Sequence, residues 1–404
     1  MAMVALARQL AGAGHRDRAL DLAARALALA PGDGEVRALA TEVLSDGVPL
    51  WHFSIVRDQV RNAAYDTALR RAVFPGCTVL EIGTGSGLLA MMAARAGAGR
   101  VVTCEADPAV AAAARATIGR NGFADRITVL TAHSTALDPG EICGPADILV
   151  SEIVSNDMVS EGALPAHADA VPRLLKPGGT VIPVRGRMRI ALMDDGGSVQ
   201  PDLTEIDSFD LSPFNRLRRP YREIPVGNAS ITLRSDAADL FAFDFARGPW
   251  HGARTHMLLR SRGGRVRGVV QWIALDLDDE TLYENMPAPS ASSCWAAIFW
   301  PFVEPLATVP GEAVAIAACH EGTASGCGAN YTPNIDIFAA FRDGSSRNAD
   351  FREHDHGRYQ KDGSGWCNRS GRKAGVGEAR TDRLCASSSR RRHFVSSQRR
   401  PQQP

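Results

Sequence analysis

The sequence predicts three consecutive folded parts: a short helical extension, an α/β domain with a parallel sheet, and an antiparallel β domain. Three observations carry this. Between Val73 and Ile182, short apolar strands alternate with amphipathic helices, the pattern of a sheet covered on both faces. A glycine-rich loop, Gly83-x-Gly85-x-Gly87, joins the first of these strands to the helix after it. Beyond a predicted turn at Lys176-Pro177-Gly178-Gly179, strand-like runs with glycine breaks replace the helical pattern. The boundaries that follow are 1–48 for the extension, 49–182 for the α/β domain, 183–342 for the β domain and 343–404 for a tail.

Residues 4 to 48 read as helical. Leu6, Leu10, Ala19, Ala23, Ala26 and Leu29 recur at spacings near three and four, and Pro31-Gly32-Asp33-Gly34 breaks the run before a helix from Glu35 to Leu44. Ala7, Leu10, Ala19, Ala26 and Pro31 resemble the preferred positions of a tetratricopeptide repeat. A plain helical hairpin packed on the next domain accounts for the same pattern.

In the α/β domain the predicted strands are Thr78–Ile82, Arg100–Cys104, Ile127–Leu130 and Ala146–Ser151, with helices at Leu88–Ala96 and Pro108–Asn121. In the β domain the predicted strands are Thr180–Met193, Ala229–Leu233, Leu240–Phe245, His256–Leu259 and Val266–Leu277. The tail is rich in Arg and Ser and lacks apolar periodicity, so it is expected to be disordered.

Composition narrows the partners. The 404 residues are 45% hydrophobic and 22% charged, with 45 basic and 45 acidic side chains, so net charge favours no nucleic acid. No apolar run reaches the roughly 18 residues of a membrane span, and the first residues lack the basic start and apolar core of a signal peptide. The eight cysteines are scattered without a CxxC pair, which argues against a disulfide framework or a metal site and for a cytoplasmic setting.

The glycine loop points to a nucleoside cofactor. Glycines at 83, 85 and 87 let the chain turn sharply and let a ligand approach the backbone. Glu105, at the end of the second strand, stands where an acid can hold ribose hydroxyls. Such a loop alone also suits dinucleotides. The acidic Glu81 beside it would repel a pyrophosphate and suits S-adenosyl-L-methionine, which carries a cationic amine and a sulfonium and no phosphate.

A second constellation follows the fourth strand. Glu152 stands at its carboxyl end, where ligands bind in open α/β sheets, and Glu161 lies nine positions on, beyond a loop that can double back. Two converging carboxylates disfavour joint ionisation unless a cation lies between them. A guanidinium fits because its planar donors match paired carboxylates. It is also a poor nucleophile that needs orienting toward a methyl donor. Solvated loop charges are the plainer alternative for these two residues.

Together these residues resemble the protein arginine methyltransferase family, members 7 and 9 in particular, over about residues 51 to 320. The resemblance rests on the Glu152–Glu161 spacing, "HST" at 133–135, the helix "WHFSIVRDQVRNAAYDTA" and "VVQWIALDLDDETLYENMPAP". It implies a Rossmann-like methyltransferase domain followed by a β-barrel domain, S-adenosyl-L-methionine as cofactor and an arginine-containing protein or peptide as substrate. His52, Asp58 and Arg61 match the family's helical motif, Arg61 holding the cofactor carboxylate. Ser134 and Thr135 stand where the family places an acid near the adenine. Ser293-Cys294-Trp295 matches the family's Thr-His-Trp loop, with Trp295 walling the acceptor and Cys294 replacing a histidine that pairs with the residue matching Asp58. The family's Tyr-rich lid segment is missing before Trp51. Ser208–Arg222 is the candidate arm for a homodimer, or an ordinary surface loop. Transfer to a small molecule, or cofactor binding with impaired catalysis, are the competing expectations.

Overall fold

The computed structural model describes residues 1–199, 201–247 and 252–320, together with the backbone of the strands 335–342, 359–362 and 365–368. Residues Met1–Gly344 form one compact unit and Ser345–Pro404 another. In the latter, Tyr359–Asp362 pairs antiparallel with Gly365–Asn368. The rest of the tail, and so most of the expected disorder, lies outside the described residues.

The extension forms α1 (Ala2–Gly12), α2 (Arg16–Leu29) and α3 (Gly34–Ser45). Asp33 caps α3, its carboxylate accepting from the N–H groups of Glu35 and Val36. Val4, Ala7, Ala19, Ala23, Ala26, Val36, Ala40 and Val43 make a small separate core. Leu6 and Leu29 face outward, contrary to the predicted stripe, because α1 and α2 meet through alanines that allow close approach. Arg16 ties the extension to the α/β domain through Asp107, at 2.9 Å.

The α/β domain opens with α4 (Trp51–Ile55) and α5 (Gln59–Ala72), then runs β1 (Thr78–Ile82), α6 (Leu88–Ala96), β2 (Arg100–Glu105), α7 (Pro108–Arg120), β3 (Ile127–Thr131), β4 (Ala146–Ser151), α8 (Ala163–Leu174) and β5 (Leu175–Ile182). The five strands are parallel in the order β3-β2-β1-β4-β5. Strand order reverses between β1 and β4, so their carboxyl ends open a crevice of the kind where ligands bind in such sheets. The predicted turn at Lys176–Gly179 is a bulge inside β5, where the register with β4 slips and Gly178 adopts φ +76°.

The β domain contains β6 (Arg185–Asp194), a small hairpin of β7 (Glu205–Ile206) and β8 (Phe209–Asp210), then β9 (Arg222–Ile224), β10 (Thr232–Leu233), β11 (Ala238–Asp244), β12 (Ala253–Asp276), β13 (Leu282–Glu284), β14 (Ala297–His320) and β15 (Ile335–Arg342). The sheet path is β10-β6-β12-β14-β15, with β11 on β6, β13 on β12 and β9 on β14. It is antiparallel as expected, but among the described residues it does not close into a barrel. The two runs predicted at His256–Leu259 and Val266–Leu277 are one 24-residue strand: Gly263 and Gly264 take positive φ yet stay paired with β14, and the register slips instead on either side of them, at Arg260/Arg262 and Val266/Gly268. β14, equally long, was not predicted. Its prolines argue against a strand, yet Pro301 and Pro310 sit at register slips where a missing N–H is tolerated.

One continuous core joins the two domains, from Leu80 and Ile148 through Met158 to Phe245 and Val269. Gly186 of β6 is in that seam. A Cβ there would lie 2.6 Å from Met158 Sδ and 2.9 Å from Phe245 Cζ, so the loop after β4 is pressed directly on the β domain.

Candidate active site

The glycine loop leaves β1 beneath a lattice of buried hydroxyls. Thr84 and Thr103 share a hydrogen bond of 2.7 Å, and Thr103 donates to Glu81 Oε2 at 2.5 Å. Burial raises the Glu81 carboxyl to about 8, against the hydrogen bonds from Thr103 and the Ala90 N–H. Glu81 therefore lies under the loop, only 1% exposed and largely neutral at pH 7, and pins the loop to the start of α6. The attraction expected from an open carboxylate is muted accordingly. Gly87 caps α6 at φ +82°.

Glu105 reaches back from the end of β2, accepting from the Gly85 N–H with one oxygen and the Asp107 N–H with the other, each at 3.0 Å. His52 on α4 faces the same corner. Burial lowers its pKa, while the charges of Glu105 and Asp107 oppose the shift. Ser134 and Thr135 form a short turn at the carboxyl edge of β3, Ser134 buried and Thr135 exposed beside His133.

Asp58 caps α5 by accepting from the Arg61 N–H at 2.9 Å. This turns Arg61 inward, where its guanidinium donates to Glu152 Oε2 at 2.5 Å and to Asn62 at 2.6 Å. Both side chains of that ion pair are 5% exposed. Tyr65, one helical turn on, lies under the guanidinium at 5.3 Å and ties α5 to the end of β4 by donating to the Ser151 carbonyl at 2.9 Å. Arg61 Nε and Glu152 Oε1 are buried without a partner. Burial lifts the Glu152 carboxyl to about 7. Arg61 opposes the rise and the Asp58 charge adds to it.

Between the glutamates the chain doubles back as expected, and an unpredicted residue makes it do so. Asp157 Oδ1 accepts from Ser155 Oγ at 2.5 Å and from the N–H groups of Val159 and Ser160 at 3.2 and 3.0 Å. Glu161 returns toward Glu152. The surrounding protein raises its carboxyl to about 7, with added repulsion from Glu152 and Asp157, although the residue as a whole is open to solvent. The preceding strand end is braced by His167. Burial lowers its pKa to about 4 and so keeps the ring neutral, and the Ala163 carbonyl, which only accepts, fixes the proton on Nδ1 at 2.8 Å, leaving Nε2 to accept from Ser151 Oγ at 3.1 Å.

Trp295 enters from the β domain. Its indole N–H donates to the Val154 carbonyl at 3.1 Å, which places the ring against the loop between the two glutamates. Asp58 receives the Cys294 N–H at 3.1 Å and the Tyr283 hydroxyl at 2.8 Å. The structure thus gathers Asp58, Arg61, Glu152, Glu161 and Trp295 in one place. Gly83 joins this acceptor side to the cofactor loop, since a Cβ there would lie 2.6 Å from Ile153 Cγ2. Tyr65, Asp157 and Tyr283 escaped the sequence analysis. Only Asp157 carried a readable signal, a Ser-Asn-Asp turn cluster.

The donor set fits a nucleoside that bears an amino acid. An added Cβ at Gly85 meets nothing within 4 Å, so the loop borders open space there. Arg61 Nε is an orphaned donor suited to a carboxylate, and Glu105 is an acceptor suited to ribose hydroxyls.

Comparison with known proteins agrees. Residues 66–184 match the model of the ribosomal protein L11 methyltransferase (PrmA) family. The chain is 38% identical over 279 residues to the arginine N(omega)-methyltransferase of Streptomyces achromogenes subsp. streptozoticus, covering 68% of this chain and 77% of that one. It is 29% identical over 264 residues to protein arginine N-methyltransferase 7 of Danio rerio, and that match spans only 38% of the fish protein's length. The fold is shared with the Trypanosoma brucei PRMT1 enzyme–prozyme heterotetrameric complex with AdoHcy, at a TM-score of 0.60 and 22% identity, over 72% of this chain and 97% of that one. The cofactor is S-adenosyl-L-methionine. With a Rossmann-like domain, paired glutamates and a tryptophan wall in place, this chain belongs to the arginine N-methyltransferases.

Proposed function

We propose that the chain transfers a methyl group from S-adenosyl-L-methionine to a guanidino nitrogen of arginine in a protein or peptide. The observation that supports this best is the buried Glu152 Oε1, unpartnered and electrostatically coupled to Glu161 beside Trp295. When bound, the cofactor supplies an electrophilic methyl on a sulfonium. Glu152 and Glu161, once ionised, orient a guanidinium by charge-assisted hydrogen bonds and draw its positive charge away from the attacking nitrogen. Trp295 offers a face for the same cation. The proton released on transfer has an acceptor at Glu152 Oε1, whose pKa near 7 suits the task.

A second reading is free arginine as acceptor. The name of the Streptomyces relative favours it, because it speaks of arginine and not of protein arginine. Incubation with methyl-labelled cofactor, free arginine and an arginine-rich peptide separates the two. Label in the peptide supports the first reading and label in free arginine the second. A folded protein that binds S-adenosylhomocysteine and labels neither would be the cofactor binder with impaired catalysis, as expected if Cys294 cannot replace the family's histidine.

A homodimer is the accompanying expectation. The candidate arm, Ser208–Arg222, leaves Phe209, Phe214 and Leu217 exposed at 70, 64 and 70%, a face suited to a second copy of the chain. Sedimentation of a Phe209→Ser, Phe214→Ser double variant tests it, and a dimer that survives the change would remove the arm from the interface.

A further inference from the structure

Tyr283 lies in the segment VVQWIALDLDDETLYENMPAP without an assigned role there, yet it stands between the two halves of the site. It lies on β13, opposite Leu275 of β12, and is 1% exposed. Its ring meets Trp295 edge to face, with centroids 5.4 Å apart. Its hydroxyl lies 2.8 Å from Asp58 Oδ2 and 2.8 Å from Ser293 Oγ, and Ser293 Oγ accepts from the Trp295 backbone N–H at 3.0 Å.

Proton counting fixes the direction of this chain. An ionised carboxylate only accepts, so the Tyr283 hydroxyl must donate to Asp58. That hydroxyl has one proton, so its contact with Ser293 can only be an acceptance. Ser293 then donates its proton to Tyr283 and takes the Trp295 backbone N–H on its own lone pair. The run is one-way, from the Trp295 backbone N–H through Ser293 and Tyr283 to Asp58 Oδ2. Burial raises the phenol's pKa, which keeps the proton the relay needs. Asp58 Oδ1 meanwhile caps α5 at Arg61, so the relay ends on the helix that carries the guanidinium paired with Glu152. Cys294 meets the same carboxylate through its backbone N–H and through its partly buried thiol, whose pKa burial raises so that it stays neutral.

We propose that Tyr283 is a positioning residue: its hydroxyl carries a directed relay that seats Trp295 against the acceptor loop by anchoring it to Asp58. The relay supplies a neutral donor to Asp58 in a loop whose side chain at 294 offers no cation. The role rests on the arginine-acceptor reading, and it applies to free and peptide arginine alike.

Tyr283→Phe removes only the hydroxyl and keeps the ring. The expected result is a fall of about tenfold or more in kcat/KM for the arginine acceptor, the size of a lost hydrogen bond to a charged group. The dissociation constant for S-adenosylhomocysteine should stay within about twofold, because Asp58 keeps the Arg61 cap. A merely structural role would weaken both together. Ser293→Ala interrupts the same chain, so the double variant should lose little more than either single one. Thermal unfolding of the four proteins gives the same coupling without turnover. Acceptor kcat/KM unchanged in Tyr283→Phe, or losses that add in the double variant, would overturn the proposal. If the wild-type protein methylates no arginine at all, the functional reading fails, and the positioning role with it, while non-additive melting shifts would still establish the relay as a structural element.

Discussion

The two halves of the site are built in opposite ways. The cofactor half is nearly continuous in sequence. Gly83, Gly85, Gly87 and Glu105 lie within one strand–helix–strand unit, and their positions follow from the turn that unit must make. The acceptor half is assembled from α5, the end of β4, the loop after it, β13 and the segment before β14, with contacts that span 91 to 236 positions. A local motif can therefore identify the cofactor, while the choice of acceptor depends on the packing of two domains.

The contrast can be tested by damaging one half and reading the other. The largest effect is expected for Glu152→Gln, which should cut methyl transfer about a thousandfold, on the scale of losing one preorganised electrostatic group, with S-adenosylhomocysteine binding largely kept. Equal turnover in that variant would remove Glu152 from the chemistry. Next comes Glu105→Ala, which should weaken S-adenosylhomocysteine by about tenfold or more in titration calorimetry, as expected for lost hydrogen bonds to a charged group. A change in acceptor KM alone would show that the halves are misassigned.

Acidity should separate them more gently. Burial lifts Glu152 to about 7, while the more open Glu161 is raised by the surrounding protein and by repulsion from Glu152 and Asp157, and only the ionised forms attract a guanidinium. Acceptor kcat/KM should accordingly rise with pH through 7 and fall by at least about tenfold per unit well below it. A flat profile between pH 6 and 8 would contradict this. The smallest effect is expected for Gly83→Ala, whose φ of +83° alone costs about 1–2 kcal/mol in a chemical denaturation curve. Because its new Cβ would meet Ile153, both cofactor and acceptor parameters should worsen together. Damage confined to one of them would mean that the two loops move independently.

Legibility in the sequence followed the same divide. Strands β1 and β4 and helix α6 begin and end where their apolar runs and flanking glycines place them. Buried parallel strands offer little latitude once a glycine loop fixes one end. The β domain was harder to read because its longest strands carry glycines and prolines that usually end a strand, and only bulges opposite a partner reveal that these do not. Glu152 and Glu161 could be named from spacing. The agent that folds them together, Asp157, and the tether on Trp295, Tyr283, could not, since each acts through a hydrogen bond that sequence does not display.

The ion pair between Arg61 and Glu152 has a consequence for discrimination between basic side chains. One oxygen of Glu152 is already engaged, so an incoming cation finds a single acceptor there and must seek its second on Glu161. A guanidinium spreads its donors across a rigid plane and can bridge two carboxylates from different segments, whereas an ammonium concentrates its charge at one point. A lysine ammonium also carries three donors, but they diverge from one nitrogen rather than lying in a fixed plane. A bond the protein makes with itself thus leaves one directed acceptor on Glu152 and favours a planar, forked donor over a point charge.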